Sequence, residues 1–283
     1  MNLSRIKRWI LLGHRWLGIG TCLLFFLWFL SGMVMMYVGH PKLTWQERLE
    51  HLPPLEASQP LLSPADAFRQ AGIHGTVTDL RLANARAGQP VYIAQVRPDT
   101  KPAPDAPRPD PCLVTLDART GTLLSPTDPA TALASAQVYL EQGSPSHPSS
   151  SSALPATGPR LPSATTAPAS PGVPLYQGIT VEDAHTHSKA MDLHRPLHKV
   201  LLPDADQTLL YISGTTGEVV RDAPRLERGF NYLGAWLHWL YLFRDTAIDW
   251  TELIIWLSVI GIVSVISGLL GGGDPGAVAD AEG

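Results

Sequence analysis

Two histidines stand where apolar stretches of this chain meet water, each flanked by tryptophan and by glycine one helical turn away. The first sits in Gly13-His14-Arg15-Trp16-Leu17-Gly18, the second in Gly234-Ala235-Trp236-Leu237-His238-Trp239. An imidazole in that setting has one distinctive competence: its Nε2 lone pair ligates haem iron, and a nearby glycine lets a flat macrocycle lie against the backbone. His14 and His238 are therefore the candidate cofactor-binding residues. The cofactor would be haem b held by axial ligands alone, because the chain has no Cys-x-x-Cys-His sequence for covalent attachment. The competing reading of both is interfacial, with histidines among basic or aromatic residues marking a membrane boundary. His40, at the far end of the first apolar stretch, is the remaining histidine within reach of His238.

The elements that must position these residues are membrane spans. Trp16 to Val38 carries no charged side chain and is about 34 Å long as a helix; Leu253 to Leu270 gives about 27 Å. Arg5, Lys7, Arg8 and Arg15 precede the first span with no acid among them, which places the N-terminus in the cytoplasm and the middle of the chain outside. No small-x-small cleavage site follows the first span, so it reads as a retained helix. His14 then lies at the inner face and His238 at the outer, and the hydrocarbon core of about 30 Å keeps them from sharing one haem. The stretch Gly229–Phe243 is apolar all round but too short to span, which predicts an interfacial helix over 229–245 ahead of the second span at 250–270. Gly261, Ser264, Ser267 and Gly268 form a small-residue face on which another helix can pack closely.

Composition excludes other chemistries. A net charge of −4 offers nothing to a nucleic acid. Cys22 lies within a span and Cys112 outside it, so they cannot pair. There is no glycine-rich phosphate loop, no His-Glu-x-x-His and no Gly-x-Ser-x-Gly.

Between the spans the fold class reads as α+β: two small helix-on-antiparallel-sheet modules, at 60–127 and 175–222. The first opens with Ser63 as N-cap and Pro64 at the first helical position, then alternates as strands over Val77–Leu82 and Val91–Val96. It closes with the hairpin Leu116-Asp117-Ala118-Arg119-Thr120-Gly121-Thr122-Leu123. The second module is expected to start a helix at Thr180-Val181-Glu182-Asp183-Ala184, with strands over Leu197–Leu202 and Leu209–Ile212. It closes with a similar hairpin, Ile212-Ser213-Gly214-Thr215-Thr216-Gly217-Glu218-Val219. The stretch 143–174, rich in Pro, Ser and Ala, and the Pro-rich loop Lys101–Pro111 cannot bury enough apolar surface to fold. His185, His187, His194 and His198 suggest zinc or copper, but Pro196 denies His194 and His198 a helical i, i+4 pairing. The stronger reading is surface histidines on an exposed module.

These motifs together resemble the PepSY domain and its associated transmembrane family. The resemblance is carried by the Ser-Pro-x-Asp-Ala helix start at Ser63, the Leu-Asp-Ala-x-Thr-Gly hairpin at Leu116, and His14-Arg15-Trp16-Leu17-Gly18. Ser31-Gly32-Met33, Glu47-Arg48-Leu49, the second Thr-Gly-Glu hairpin and Leu233-Gly234-Ala235-Trp236-Leu237-His238-Trp239 add to it. It implies a multi-pass protein of the bacterial inner membrane with its central region periplasmic, associated with iron uptake. Some members are similar to haem-bearing ferric-siderophore reductases. The alternative it implies is a non-catalytic tethered module that binds a peptide, a peptidase or a partner membrane protein. The tail 271–283, with three acids and no Lys or Arg, departs from the family, in which basic residues and further histidine-bearing helices follow. It reads as a truncated continuation that would leave His14 and His238 without opposing ligands.

Overall fold

The computed structural model describes residues 3–56, 58–99, 110–143, 172–244, 246 and 249–272. Most of the 143–174 stretch, most of the Lys101–Pro111 loop and the tail from 273 lie outside the described residues. The chain is α+β, with two antiparallel sheets and two helices long and apolar enough to cross a bilayer. It divides into two compact units, one formed by residues 1–39 with 230–283 and the other by 40–229.

In the 40–229 unit, α2 (Trp45–Glu50) is closed by a capping box: Thr44 Oγ1 accepts from the Glu47 N–H, and the Glu47 carboxylate accepts from the Thr44 N–H. α3 (Pro64–Ala71) starts as its sequence predicts, with Ser63 Oγ accepting from the Asp66 N–H and Gly72 in the left-handed conformation as its C-cap. The first sheet is β1 (Thr76–Arg86), β2 (Gln89–Arg97) and β3 (Cys112–Asp117), in that order. α3 covers one face through Ala67, packed on Tyr92, Leu116 and Ala118. The opposite face buries Ala85, Val91 and Ile93.

The second sheet runs β4 (Leu175–Thr180), β5 (Leu197–Leu201), β6 (Leu209–Ser213) and β7 (Val219–Ala223). Its helix is not the one expected at Thr180. β4 continues through Thr180 as an edge strand hydrogen-bonded to β5, and turns follow it. The covering helix is α4 (Pro129–Gln142), from before the undescribed stretch. Ala132, Ala136 and Tyr139 recur at i, i+4 and i+7 and pack on Val200, Leu210 and Ile212. The N-cap signal lay in Asp128-Pro129, where Asp128 Oδ1 accepts from the Thr131 N–H at 2.7 Å.

The two Thr-Gly hairpins are built alike. Gly121 N–H donates to Asp117 O at 2.9 Å and Asp117 N–H to Thr122 O at 3.0 Å. Gly217 N–H donates to Ser213 O at 2.9 Å and Ser213 N–H to Glu218 O at 2.9 Å. Both glycines have positive φ, +67° and +78°. A side chain at Gly217 would also meet Arg86 Cγ at 2.8 Å, because the first sheet reaches this turn.

In the other unit, α1 (Leu3–Tyr37) and α6 (Trp250–Gly272) pack as an antiparallel pair. Gly261 opens toward Phe25 and Gly268 toward His14. The small-residue face of the second span is thus the face that meets the first. The stretch 229–245 is not a lone interfacial helix. α5 (Arg225–Asn231) runs into a π-helical turn at Tyr232–Trp236 that packs on α1, where a side chain at Gly234 would meet Met35 Cγ at 3.1 Å. The helix ends after His238, with Leu240 left-handed at φ +54°.

Candidate functional site

His14 lies on the face of α1 that meets α6. Its Nδ1 is 2.9 Å from Ser267 Oγ, and its ring lies over Gly268, where a Cβ would stand 3.0 Å from Cε1. The Ser267 hydroxyl has one hydrogen, and it is donated to Ser264 O at 3.0 Å. With that hydrogen on Ser264 O, Ser267 accepts from His14, the arrangement in which the imidazole proton sits on Nδ1 and Nε2 keeps a bare lone pair.

His238 repeats the device from another part of the chain. Its Nδ1 is 3.1 Å from Ser31 Oγ, and the Ser31 hydroxyl donates to Leu27 O at 2.7 Å, with Trp28 O at 3.1 Å. With that hydrogen on a backbone carbonyl, Ser31 accepts from His238, which then carries its proton on Nδ1 and presents Nε2. Both Nε2 atoms lack a hydrogen-bond partner among the described residues, and neither is a buried orphan. A histidine fixed through Nδ1 with Nε2 open is the arrangement in which imidazole ligates a metal.

No family model, curated protein or solved structure matches the chain.

The surroundings of both histidines admit a planar aromatic group. A Cβ at Gly18, one turn from His14, would meet no atom within 4 Å. His238 opens into a cavity of about 480 Å³ shared with Trp28, Trp239, Tyr241, Trp250 and Ile254. That volume falls in the range of cofactor pockets, and its walls are nearly all apolar. Trp28 Nε1 is buried beside it without an acceptor. The donor set and the open space fit a haem at either histidine. His14 and Ser31, the residue that holds His238, are separated along α1 by about 26 Å at the helical rise, so they serve two levels rather than one site. Replacing Gly268 with leucine would drive a side chain into the His14 ring and part α1 from α6. A loss of roughly 2 kcal/mol or more is expected, read as a lower melting temperature of the detergent-purified chain.

Five further histidines are engaged elsewhere. His198, 2% exposed, donates from Nε2 to Thr127 O at 2.9 Å, and its Nδ1 lies 2.9 Å from the Tyr176 hydroxyl. His185 is 6% exposed, and burial, more than any other influence, pushes its pKa down to about 4. Neither is the surface histidine expected from the sequence; both are core groups. His187 pairs with Glu182 at 2.5 Å, and His194 Nδ1 lies 3.1 Å from Ser213 Oγ. His40 Nδ1 lies 3.0 Å from Pro41 O and 3.3 Å from Arg221 Nη1. Among the described residues, no three His, Cys, Asp or Glu side chains are placed to hold one ion.

Glu47-Arg48-Leu49 and Thr216-Gly217-Glu218 acquire a purpose the sequence did not show. Glu218, its side chain 3% exposed, accepts from Arg48 Nη1 at 3.1 Å and from Arg81 Nη2, with His194 Nδ1 at 3.8 Å. Burial alone would raise the Glu218 pKa. The Arg81 hydrogen bond and the charges of Arg81, Arg48 and His194 outweigh it and hold the carboxylate ionised. Helix α2, the first sheet and the second hairpin are tied at this one group. Ser135 adds a neutral tie, accepting from the Ala87 N–H and donating to Gly217 O.

Proposed function

We propose that the chain is a PepSY-type protein of the bacterial inner membrane that holds b-type haem at His14 and His238. In this role it serves transmembrane electron delivery toward ferric-siderophore iron outside the membrane. The observation that carries this reading is the pair of histidine–serine contacts. Two histidines on separate elements each set Nδ1 against a serine that also reaches a backbone carbonyl of its own helix, an arrangement that frees Nε2. Interfacial histidines whose task is only to mark a boundary need no such arrangement.

Each residue then has a defined task. Ser267 and Ser31 orient the imidazoles and raise their basicity as ligands, which supports a metal in the way outer hydrogen bonds generally do. Trp28, Trp239, Tyr241 and Trp250 give the His238 level an apolar wall that excludes water and lowers the local dielectric. A bound haem supplies the one-electron chemistry, and the protein positions it. The basic residues Arg5, Lys7, Arg8 and Arg15, ahead of the uncharged stretch of α1, support a cytoplasmic N-terminus, with residues 40–229 on the periplasmic side.

A second reading has one observation behind it. β4 is a sheet edge, and Val173, Leu175, Ile179 and Val181, on and around it, are exposed by 82%, 60%, 56% and 65%. A free edge with aliphatic side chains suits an added peptide strand, as in a tethered binding module.

The visible spectrum of the detergent-purified chain separates the two. A reduced b-type spectrum is expected, reduced in haem content by His14→Ala and by His238→Ala. Ser267→Ala and Ser31→Ala should weaken haem retention about 10- to 100-fold. A protein that stays colourless after haem supplementation overturns the haem reading and leaves the peptide module.

A further inference from the structure

The short helix that follows the first span is built inside out. In α2, Arg48 turns inward and reaches the buried Glu218 carboxylate at 3.1 Å. His51, just past the helix, stacks on Tyr139 with the ring centroids 3.9 Å apart. With those residues fixed inward, Trp45 and Leu49 point outward, 64% and 53% exposed. They are four positions apart and so share one helical face. A helix on the surface of a module bathed in water does the reverse, burying its apolar stripe and wetting its charges.

What covers this face is restricted by the chain itself. Trp45 follows Tyr37, the last residue of α1, by eight positions, which reach at most about 26–29 Å even when fully extended. The bilayer surface at which α1 ends is therefore always close to α2. Seven of the eight tryptophans belong to residues 1–39 and 230–283, and Trp45 is the one that residues 40–229 contain. An indole is apolar in body with one polar N–H, and it settles at headgroup depth. The start of α5 adds Leu226, 57% exposed. It lies beside α2, because Asp222, pushed up chiefly by burial, also feels the charges of both Glu47 and Glu227. The exposed charges nearby are mixed, Lys42 and Arg225 against Glu50. Apolar insertion, rather than attraction to anionic lipid, is what such a face offers a membrane.

We propose that Trp45 and Leu49 of α2, with Leu226 of α5, seat the 40–229 unit on the surface of the bilayer that α1 crosses. The indole of Trp45 lies among the headgroups and the two leucines reach the acyl boundary. The unit then rides on the membrane instead of standing off on its tether. This rests on α1 spanning the bilayer and not on the haem reading, which survives if the contact is absent.

The test uses the full chain in nanodiscs of phosphatidylethanolamine and phosphatidylglycerol, with Cys22→Ser and Cys112→Ser to remove the native thiols. A nitroxide is placed singly through Leu49→Cys or Leu226→Cys, both at exposed positions, and a wild-type circular dichroism spectrum shows each labelled chain folded. Electron paramagnetic resonance then compares collisions with oxygen, which concentrates in lipid, and with a water-soluble nickel chelate. Phe26→Cys, within the first span, gives the hydrocarbon reference, and Thr78→Cys, on exposed β1, gives the aqueous one. Labels at 49 and 226 should show an oxygen-to-nickel ratio severalfold above that of 78, and Trp45→Asp should return the label at 49 to the aqueous ratio. A label at 49 that matches 78 while Trp45 is in place would overturn the proposal. So would a label shielded from both reagents, which would mean that protein, a second copy or another chain, covers the face. An aqueous ratio at 26 would overturn the spanning of α1 itself and the proposal with it.

Discussion

Glu218→Gln lowers the stability of the chain by about 3–5 kcal/mol, the usual cost of removing one partner from a buried ionic group. Among the described residues the carboxylate is the counter-charge that Arg48 and Arg81 share, and their side chains are only about one-quarter exposed or less. Its loss strands two cations in a place with little water. For a unit of this size the melting temperature falls by about 10 °C or more, measured by circular dichroism of the detergent-purified chain. Replacing Glu218, Arg48 and Arg81 together by methionine should recover most of the loss, because the desolvation cost of all three charges disappears with their attraction. A Glu218→Gln protein that melts with the wild type would show that the triad does not hold the two sheets together.

Asp222→Asn has the opposite sign. Burial above all, then the charges of Glu47 and Glu227, pushes the Asp222 carboxyl up to about 7. In the unfolded chain it titrates near 4. Between about pH 4 and pH 7 the folded chain keeps a proton that the unfolded chain has released, so stability falls as pH rises through that window. Above it the full penalty is present. Asparagine removes the penalty: stability at pH 8 rises by roughly 2–4 kcal/mol, with no gain at pH 4. His185 acts the other way. Lowered to about 4, chiefly by burial, it refuses between about pH 6.5 and pH 4 a proton that the unfolded chain accepts, so stability falls as pH drops. His40 and His194, lowered mainly by the same cause, add to that slope. In the wild type the two trends oppose each other, and Asp222→Asn removes the larger part of the carboxyl trend, leaving Glu227, also raised chiefly by burial, against the histidine slope. Thermal melts from pH 4 to 8 measure this, and an equal gain at both ends would contradict the buried-proton explanation.

Local signals carried much of the fold. The cap at Ser63, the glycine turns at Gly121 and Gly217, and the two apolar runs at the ends are decided by near neighbours, and each appears where the residues called for it. What misled was connectivity. The second sheet takes α4, from before the 143–174 stretch, because alanines at Ala132 and Ala136 allow a close fit on Val200 and Ile212. Thr180, where a helix was expected to start, instead ends the edge strand β4, and turns follow it. No local pattern encodes which helix a sheet will choose.

The candidate site was half legible. His14 and His238 stood out by type and by their glycine and tryptophan neighbours. Ser31 and Ser267 did not, since a serine in an apolar helix reads as a small residue until its distant partner is known. Arg48, Arg81 and Glu218 lie far apart in sequence, and only folding brings their charges together. The π-helical turn before His238 and the left-handed Leu240 after it set the angle at which the imidazole meets Ser31, and neither has a sequence signature.

The presentation of Nε2 by both membrane histidines can be read directly by nitrogen-15 nuclear magnetic resonance of the histidine-labelled full chain in lipid bicelles. Spectra would be recorded near pH 8 without haem and assigned by His14→Gln and His238→Gln. The expected result is a proton on Nδ1 and a bare Nε2 in both residues, with the Nδ1 proton shift altered by Ser267→Ala for His14 and by Ser31→Ala for His238. A proton found on Nε2 in either residue would contradict the claim that these imidazoles are held ready as ligands.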